Sequence, residues 1–303
     1  MVTQARKEGP ATRRPVSLRR VRAQPRLPYF DTVFRLLDSE PGAPLLQALG
    51  ARHVHWGYYP DAGTGDTSLA ALQRAQEALT EQLVAAADVR DGQRVLDAGC
   101  GFGGTAAFLT AHYSGLEVSA LNIDARQLRR ARSLASGPVP HPIIFVQADA
   151  CALPYADGVF DTLLAVECIF HFPSRLRFFR EARRVLRPGG WLAISDFVPH
   201  GPAIPRLAAW VLAHAAEIER FYGWFNYLSP CSVTGYRWMA KRRGFAMRED
   251  RDITAHTLPT YPALLGPIRA TGHRAAERAT ELAQEVSRRG WVRYRILSFE
   301  AIV

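Results

Sequence analysis

A hydrophobic strand that runs into a cluster of four glycines and then directly into a helix restricts this chain more than any other feature. The stretch reads Val95-Leu96-Asp97-Ala98-Gly99-Cys100-Gly101-Phe102-Gly103-Gly104-Thr105. Glycines here let the backbone turn tightly and let a ligand approach with no Cβ in the way. Gly99, Gly101 and Gly104 also satisfy the G-x-G-x-x-G spacing, so a nicotinamide dinucleotide is the first competitor. Asp97 decides against it, because a carboxylate two residues before the first glycine repels a doubly negative pyrophosphate and attracts an ammonium group. A glycine turn that binds nothing is the other alternative, and it would cost conformational entropy with no return in packing.

From about Val95 to Phe197 strand-like and helix-like segments alternate, which predicts a parallel sheet wrapped by crossover helices, an α/β doubly wound core. Strands are predicted over Arg94–Ala98, Glu117–Ile123, Ile143–Gln147, Phe160–Val166 and Trp191–Phe197, with helices over Thr105–His112, Ala125–Leu134 and Arg175–Val185. Pro188, Gly189 and Gly190 are read as the stop of the last helix. Upstream, Leu69, Leu72, Leu79 and Leu83 fall near helical spacing behind an Asp66-Thr67-Ser68 N-cap. Downstream, one long helix is predicted with Ile204, Leu207, Val211, Ala215, Ile218 and Phe221 on a face. A helix over Ser232–Arg243, a strand over Phe245–Ile253, a helical segment over about Pro259–Arg288 and a closing strand over Trp291–Ile302 complete the reading. The expected organisation is a basic, disordered tail (1–28), a helical cap segment (29–82) and a ligand-binding core (83–303) with helical lid insertions near 200–230 and 255–288.

Charge raises a nucleic-acid partner, since the 303 residues carry a net +10. Eight basic side chains against one acid lie within residues 1–26, however, so the remainder has no polyanion signature. Arg13-Arg14 lacks the apolar segment that an export signal needs, and no apolar run reaches the ~18 residues of a membrane span. Four cysteines with no C-x-x-C pair suit a reducing compartment, so a cytoplasmic location is expected.

The glycine stretch, taken with three later matches, resembles the motif set of the class I S-adenosylmethionine-dependent methyltransferases. The later matches are Ala120-Leu121-Asn122-Ile123-Asp124, then Gln147-Ala148-Asp149-Ala150 through Leu153-Pro154 and Phe160-Asp161, and finally Arg184-Val185-Leu186-Arg187-Pro188-Gly189-Gly190. An aromatic segment, His55-Trp56-Gly57-Tyr58-Tyr59, precedes the core as in the small-molecule branch that includes tocopherol, sterol and natural-product methyltransferases. The resemblance implies a Rossmann-like, mostly parallel seven-stranded sheet and S-adenosyl-L-methionine as the cofactor. It implies that Asp97, Gly99, Cys100 and Gly101 hold the methionine part and that Asp149 and Ala150 meet the adenine, with Tyr59 also near the cofactor. Many members have an acid at the position of Asn122, so here Asn122 and Gln127 are expected at the ribose.

Ligands of doubly wound sheets bind beyond the carboxyl ends of the strands, which singles out Glu167-Cys168-Ile169-Phe170-His171 after the fourth strand. A hydroxyl acceptor must lose a proton, and His171 is the expected base, with Glu167 hydrogen-bonding the cofactor or orienting the acceptor; where carbon is methylated instead, the carboxylate stabilises a developing cation or takes the proton. His55, Trp56, Tyr58, Phe170, Tyr222, Trp224 and Tyr227 are expected around a flat or greasy small-molecule acceptor. Oxygen methylation leads, with carbon or nitrogen methylation as the alternative. A nucleic-acid methyltransferase is disfavoured, because Glu167-Cys168-Ile169-Phe170 replaces the Asn/Asp-Pro-Pro-aromatic run of the amino-methylating enzymes. A non-catalytic binding protein is disfavoured by the intact cofactor motif. No metal is expected, and a homo-oligomer is left open.

Overall fold

The computed structural model describes residues 28–37, 52–62, 65–135, 142–222 and 231–302. The expected basic tail lies outside the described residues except for Pro28, which opens helix α1 (Pro28–Leu37). Seven strands form one sheet: β1 (Arg94–Ala98), β2 (Glu117–Asn122), β3 (Ile144–Gln147), β4 (Phe160–Val166), β5 (Leu186–Pro199), β6 (Phe245–Asp252) and β7 (Val292–Ala301). Their order is β3-β2-β1-β4-β5-β7-β6. The first five strands pair in parallel, while β7 runs antiparallel between β5 and β6. The order reverses at β1, whose neighbours are β2 and β4, so a crevice opens above the carboxyl ends of these three strands.

Alternation along each strand feeds two cores, one per face of the sheet. Leu96, Leu163, Leu192 and Ile194 pack with Phe178 and Phe179 of α5 (Arg175–Val185) and Tyr236 of α8 (Val233–Arg242). Val95, Leu164, Ala193 and Ile296 pack on the other face with Leu79 and Leu83 of α2 (Leu69–Ala86), Leu109 of α3 (Gly104–His112) and Leu128 of α4 (Ala125–Leu134). Helix α2 starts at the expected N-cap, Ser68, whose Oγ accepts from the Ala71 N–H at 3.2 Å. It runs through the expected boundary at 82/83, with Leu79 and Leu83 packed into the core of the sheet and Leu72 in a separate cluster with Ala263, Leu264 and Ile268.

Three expectations need correction. Strand β5 begins at Leu186, five residues early, because Leu186 already pairs with Phe160 of β4; the residues from Arg187 to Gly190 then bulge out, and pairing resumes at Trp191 opposite Thr162. A Cβ at Gly190 would stand 2.9 Å from the Asp161 carbonyl, so only glycine permits that approach. The long helix is two, α6 (Ile204–Ala213) and α7 (Ala215–Tyr222), broken at His214, whose ring and backbone N–H both turn to the Trp210 carbonyl. The last helical segment is two, α10 (Thr260–Ala270) and α11 (Arg274–Arg288), with Gly272 turning the chain between them at φ +67°, and a short helix, α9 (Thr254–Thr257), precedes them.

Candidate active site

A cavity occupies the crevice above β1, β2 and β4, and most of the expected cofactor residues line it: Asp97, Gly99, Cys100, Gly101, Asn122, Gln127, Asp149 and Ala150. Asp97 is 1% exposed, and its Oδ2 has no hydrogen-bond partner among the described residues. Burial pushes its carboxyl up to about 7 against the pull of the Ala106 N–H. A buried carboxylate with one open oxygen is a poor structural element and a good receptor for an ammonium group. The loop after it is built for close approach. Gly99 has φ +85°, and a Cβ there would lie 2.7 Å from the Cys168 Cβ and Sγ. A Cβ at Gly104 would lie 2.3 Å from His53 Nδ1.

At the end of β2, Asn122 Oδ1 accepts from the Asp124 N–H at 2.9 Å, and its amide donates to Gln127 Oε1 at 3.2 Å. The pair is thereby locked together in the cavity wall, an amide pair where an acid would have offered acceptors only. Asp149 Oδ1 caps the following turn by accepting from the Cys151 N–H at 2.8 Å, which leaves Oδ2 for a ligand. These donors and acceptors fit the methionine, ribose and adenine groups of S-adenosylmethionine. Helix α1 lies across this cavity with Tyr29 and Phe30 in its wall, and Asp31 holds Arg126 at 2.6 Å while Arg126 also grips Asp124.

A second cavity, of about 400 Å³, lies beside the first and is mostly apolar. Trp56 and Phe170 line it, together with Phe197 and Tyr261. Its outer wall is α6 and α7, whose Ile204, Leu207, Val211 and Ile218 face inward, opposite Leu282 and Val286 of α11. No side chain of α6 is buried, so the apolar stripe of this expected insertion lines a cavity. Four residues line both cavities and form the neck between them: Tyr29, Val54, Glu167 and His171. Among the described residues this neck brings together the two expected catalytic groups.

Their electrostatics differ. Burial and the positive charge of Arg175 push the His171 imidazole down to about 3, and its Nε2 lies 2.9 Å from the Tyr29 hydroxyl. Burial pushes the Glu167 carboxyl up to about 8, although the Tyr294 hydroxyl and the Trp56 N–H both favour its charged form. Glu167 also has φ +46°, a left-handed conformation that costs a non-glycine residue about 1–2 kcal/mol and recurs where a side chain is aimed for function.

Three expected site residues stand elsewhere. Tyr59 packs on Ala71 and Ala75, away from the first cavity, because its backbone is tied to His256. Tyr58 stacks on the His256 ring at 4.5 Å and lines neither cavity. His55 lines the first cavity rather than the second, with its ring nitrogens 3.0 Å from His53 Nδ1 and 2.8 Å from the Trp56 carbonyl. Burial drives both histidines down, His53 to about 3 and His55 to about 4, so they form a neutral structural pair. The side chains of Tyr222, Trp224 and Tyr227 lie outside the described residues. Sequence reasoning missed Tyr29, Val54 and the α11 wall, although Leu282 and Val286 at i, i+4 carried a helical signal.

The family described as a methyltransferase domain matches residues 96–194. Over 222 residues the chain is 38% identical to Methyltransferase GfsG of Streptomyces halstedii, covering 73% of this chain and 76% of that protein. It is 33% identical over 220 residues to the 27-O-demethylrifamycin SV methyltransferase of Amycolatopsis mediterranei, covering 72% and 76% of the two. In fold it is similar to the [4+2]-cyclase SpnF, with a TM-score of 0.71, 22% identity and coverage of 93% and 98%. Among the described residues no helix is long and apolar enough to cross a membrane. The chain belongs to the class I S-adenosylmethionine-dependent methyltransferases, within their natural-product branch, and is an enzyme that takes S-adenosylmethionine as its cofactor.

Proposed function

We propose that this enzyme methylates a hydroxyl oxygen on a large, mostly apolar small molecule of the natural-product type. The observation that carries the reading is the apolar cavity of about 400 Å³ joined to the cofactor cavity through a neck that holds Glu167 and His171. When bound, S-adenosylmethionine supplies a methyl group made electrophilic by a cationic sulfur. Asp97 and the Gly99–Gly101 backbone hold its amino-acid end, and Asp149 and Ala150 hold its adenine. The aromatic walls, Trp56, Phe170, Phe197 and Tyr261, exclude water and orient the acceptor. One of the two neck residues takes the hydroxyl proton. The only cation of the acceptor cavity among the described residues is Arg175, already paired with Asp196, which leaves little for a nucleic-acid phosphate. The relative named for 27-O-demethylrifamycin also supports oxygen as the target.

Carbon or nitrogen methylation is the second reading, and the Glu167 carboxylate at the neck is the feature in its favour, since it would stabilise a developing cation. Product analysis separates the two, because the carbon shift of the transferred methyl reports whether it sits on oxygen, nitrogen or carbon. Charge on the α6 wall tests the cavity itself. Leu207→Asp and Val211→Asp each remove an apolar contact of about 1.5–3 kcal/mol and are expected to raise the acceptor KM about 10-fold or more. Cofactor affinity and melting temperature should hold, since neither side chain is buried. An unchanged KM would place the acceptor outside this cavity.

A further inference from the structure

The neck residue Glu167 is held at one oxygen and open at the other. Oε2 accepts from the Tyr294 hydroxyl at 2.5 Å and from the Trp56 N–H at 3.0 Å. Oε1 has no hydrogen-bond partner among the described residues, and the side chain borders both cavities. The backbone is fixed by the same group of residues. The Glu167 N–H reaches the Ser195 carbonyl at 3.2 Å and donates to Ser195 Oγ at 3.0 Å, and Ser195 Oγ stands 3.3 Å from the Tyr294 hydroxyl.

Counting donors closes a ring. The Tyr294 proton goes to Glu167 Oε2, so the Ser195 proton is free for the Tyr294 oxygen, and the Ser195 oxygen takes the Glu167 N–H. The ring joins the residue that follows β4 to β5 and β7. Tyr294 itself is 1% exposed, wedged edge-on against Phe197 with ring centres 4.7 Å apart. Such a ring locks a left-handed glutamate with one oxygen turned away from the sheet.

We propose that Tyr294 is a positioning residue that, through this ring with Ser195, aims Glu167 Oε1 into the neck as the proton acceptor of the transfer. The assignment rests on the oxygen-methylation reading. In the step, the acceptor O–H bond gives its proton to Glu167 Oε1, an oxygen lone pair forms the bond to the methyl carbon, and the carbon–sulfur electron pair stays on sulfur as a neutral thioether. The proton then passes to water. His171 remains neutral against Tyr29 and shapes the neck. Facing Glu167 from the neighbouring elements are Asp196, which opposes its ionisation, and the neutral groups Cys168, Tyr261, Tyr294 and His171. Loss of the tyrosine hydrogen bond makes the carboxyl harder to ionise, and the cationic sulfur makes it easier.

The test needs no acceptor. S-adenosylmethionine carries the sulfur charge and its demethylated product does not, while both present the same amino-acid and adenine groups. The ratio of their affinities therefore reads the charge of Glu167, and the contribution of Asp97 cancels. By titration calorimetry on the full chain, preference for S-adenosylmethionine is expected to grow at least ~10-fold as pH rises through the ionisation of Glu167. In Tyr294→Phe that rise should move about one pH unit higher, the size expected for losing a hydrogen bond to a charged group. In Glu167→Gln the ratio should be flat, and melting curves with Glu167→Asp as a second variant establish that the fold persists. A Tyr294→Phe profile that keeps the wild-type midpoint overturns the positioning role. A rise that survives Glu167→Gln but vanishes in His171→Ala overturns the choice of Glu167. A methyl group found on carbon or nitrogen refutes the oxygen reading instead, and it leaves these binding profiles unchanged.

Discussion

Asp97→Asn is expected to weaken binding of S-adenosylmethionine and of its demethylated product by about 100-fold, the loss of a buried charge-assisted contact. The same substitution should raise the melting temperature of the ligand-free protein above neutral pH. The reason is the open, buried Oδ2. Burial holds the Asp97 carboxyl at about 7 instead of its ordinary 3.8, so the folded protein takes up a proton that the unfolded chain has lost. Stability from this group is therefore fullest below about pH 4, declines between about 4 and 7, and is lowest above 7, where the bare carboxylate is buried. A ligand ammonium reverses the balance. Cofactor affinity in the wild type should fall as pH drops below about 7, because binding must first expel the proton, and the Asn variant should lose that slope. Thermal denaturation with and without ligand, at two pH values, reads both effects. An Asn variant that binds normally would remove Asp97 from the site.

Asp196→Ala is expected to carry the largest stability cost, about 3–5 kcal/mol, because it leaves a buried guanidinium without its counter-charge. Asp196 is fully buried at the middle of β5, and its Oδ2 accepts from Arg175 at 3.3 Å and from the Tyr236 hydroxyl at 2.5 Å. Arg175 Nε in turn donates to the Tyr236 hydroxyl at 3.0 Å. The triad ties β5 to α5 and α8 and closes one side of the acceptor cavity, where Arg175 forms part of the wall. Arg175→Met should cost less than Asp196→Ala, since the remaining carboxyl can take a proton and keep the tyrosine hydrogen bond, whereas a guanidinium cannot shed its charge. Chemical denaturation of both variants gives the comparison. Equal and small losses would mean that the triad contributes nothing to the fold.

Local chemistry was legible in the sequence wherever one short segment determines it. The glycine loop, Asp97, Asn122 and Asp149 line one cavity because each lies at or just past the end of a strand whose hydrophobic alternation sets its register. The Ser68 cap is readable for the same reason. What escaped depends on contacts between distant segments. Leu207 and Val211 have the spacing of a core stripe, and only the placement of α11 opposite them turns that stripe into a cavity wall. Tyr58 and Tyr59 are aromatic like Trp56, yet the hydrogen bonds of Tyr58 N–H to Ala75 and of Tyr59 N–H to His256 send them away from it. The left-handed backbone of Glu167 has no sequence signature, since Ser195 and Tyr294, which hold it, lie 28 and 127 residues later. The weaker basicity of His171 is likewise a product of burial beside Arg175, and histidine alone gives no hint of it.

Transfer of a methyl group to oxygen is tested most directly by incubating the purified chain with S-adenosylmethionine labelled with carbon-13 at the methyl and with a metabolite extract of the source organism lacking this enzyme. Labelled products are then isolated and their methyl shifts measured. The account predicts a predominantly apolar, hydroxyl-bearing acceptor that gains one labelled methyl ether, formed in step with the demethylated cofactor and lost with Asp97→Asn. A label found on carbon or nitrogen, or one that appears undiminished with the Asp97 variant, would contradict it.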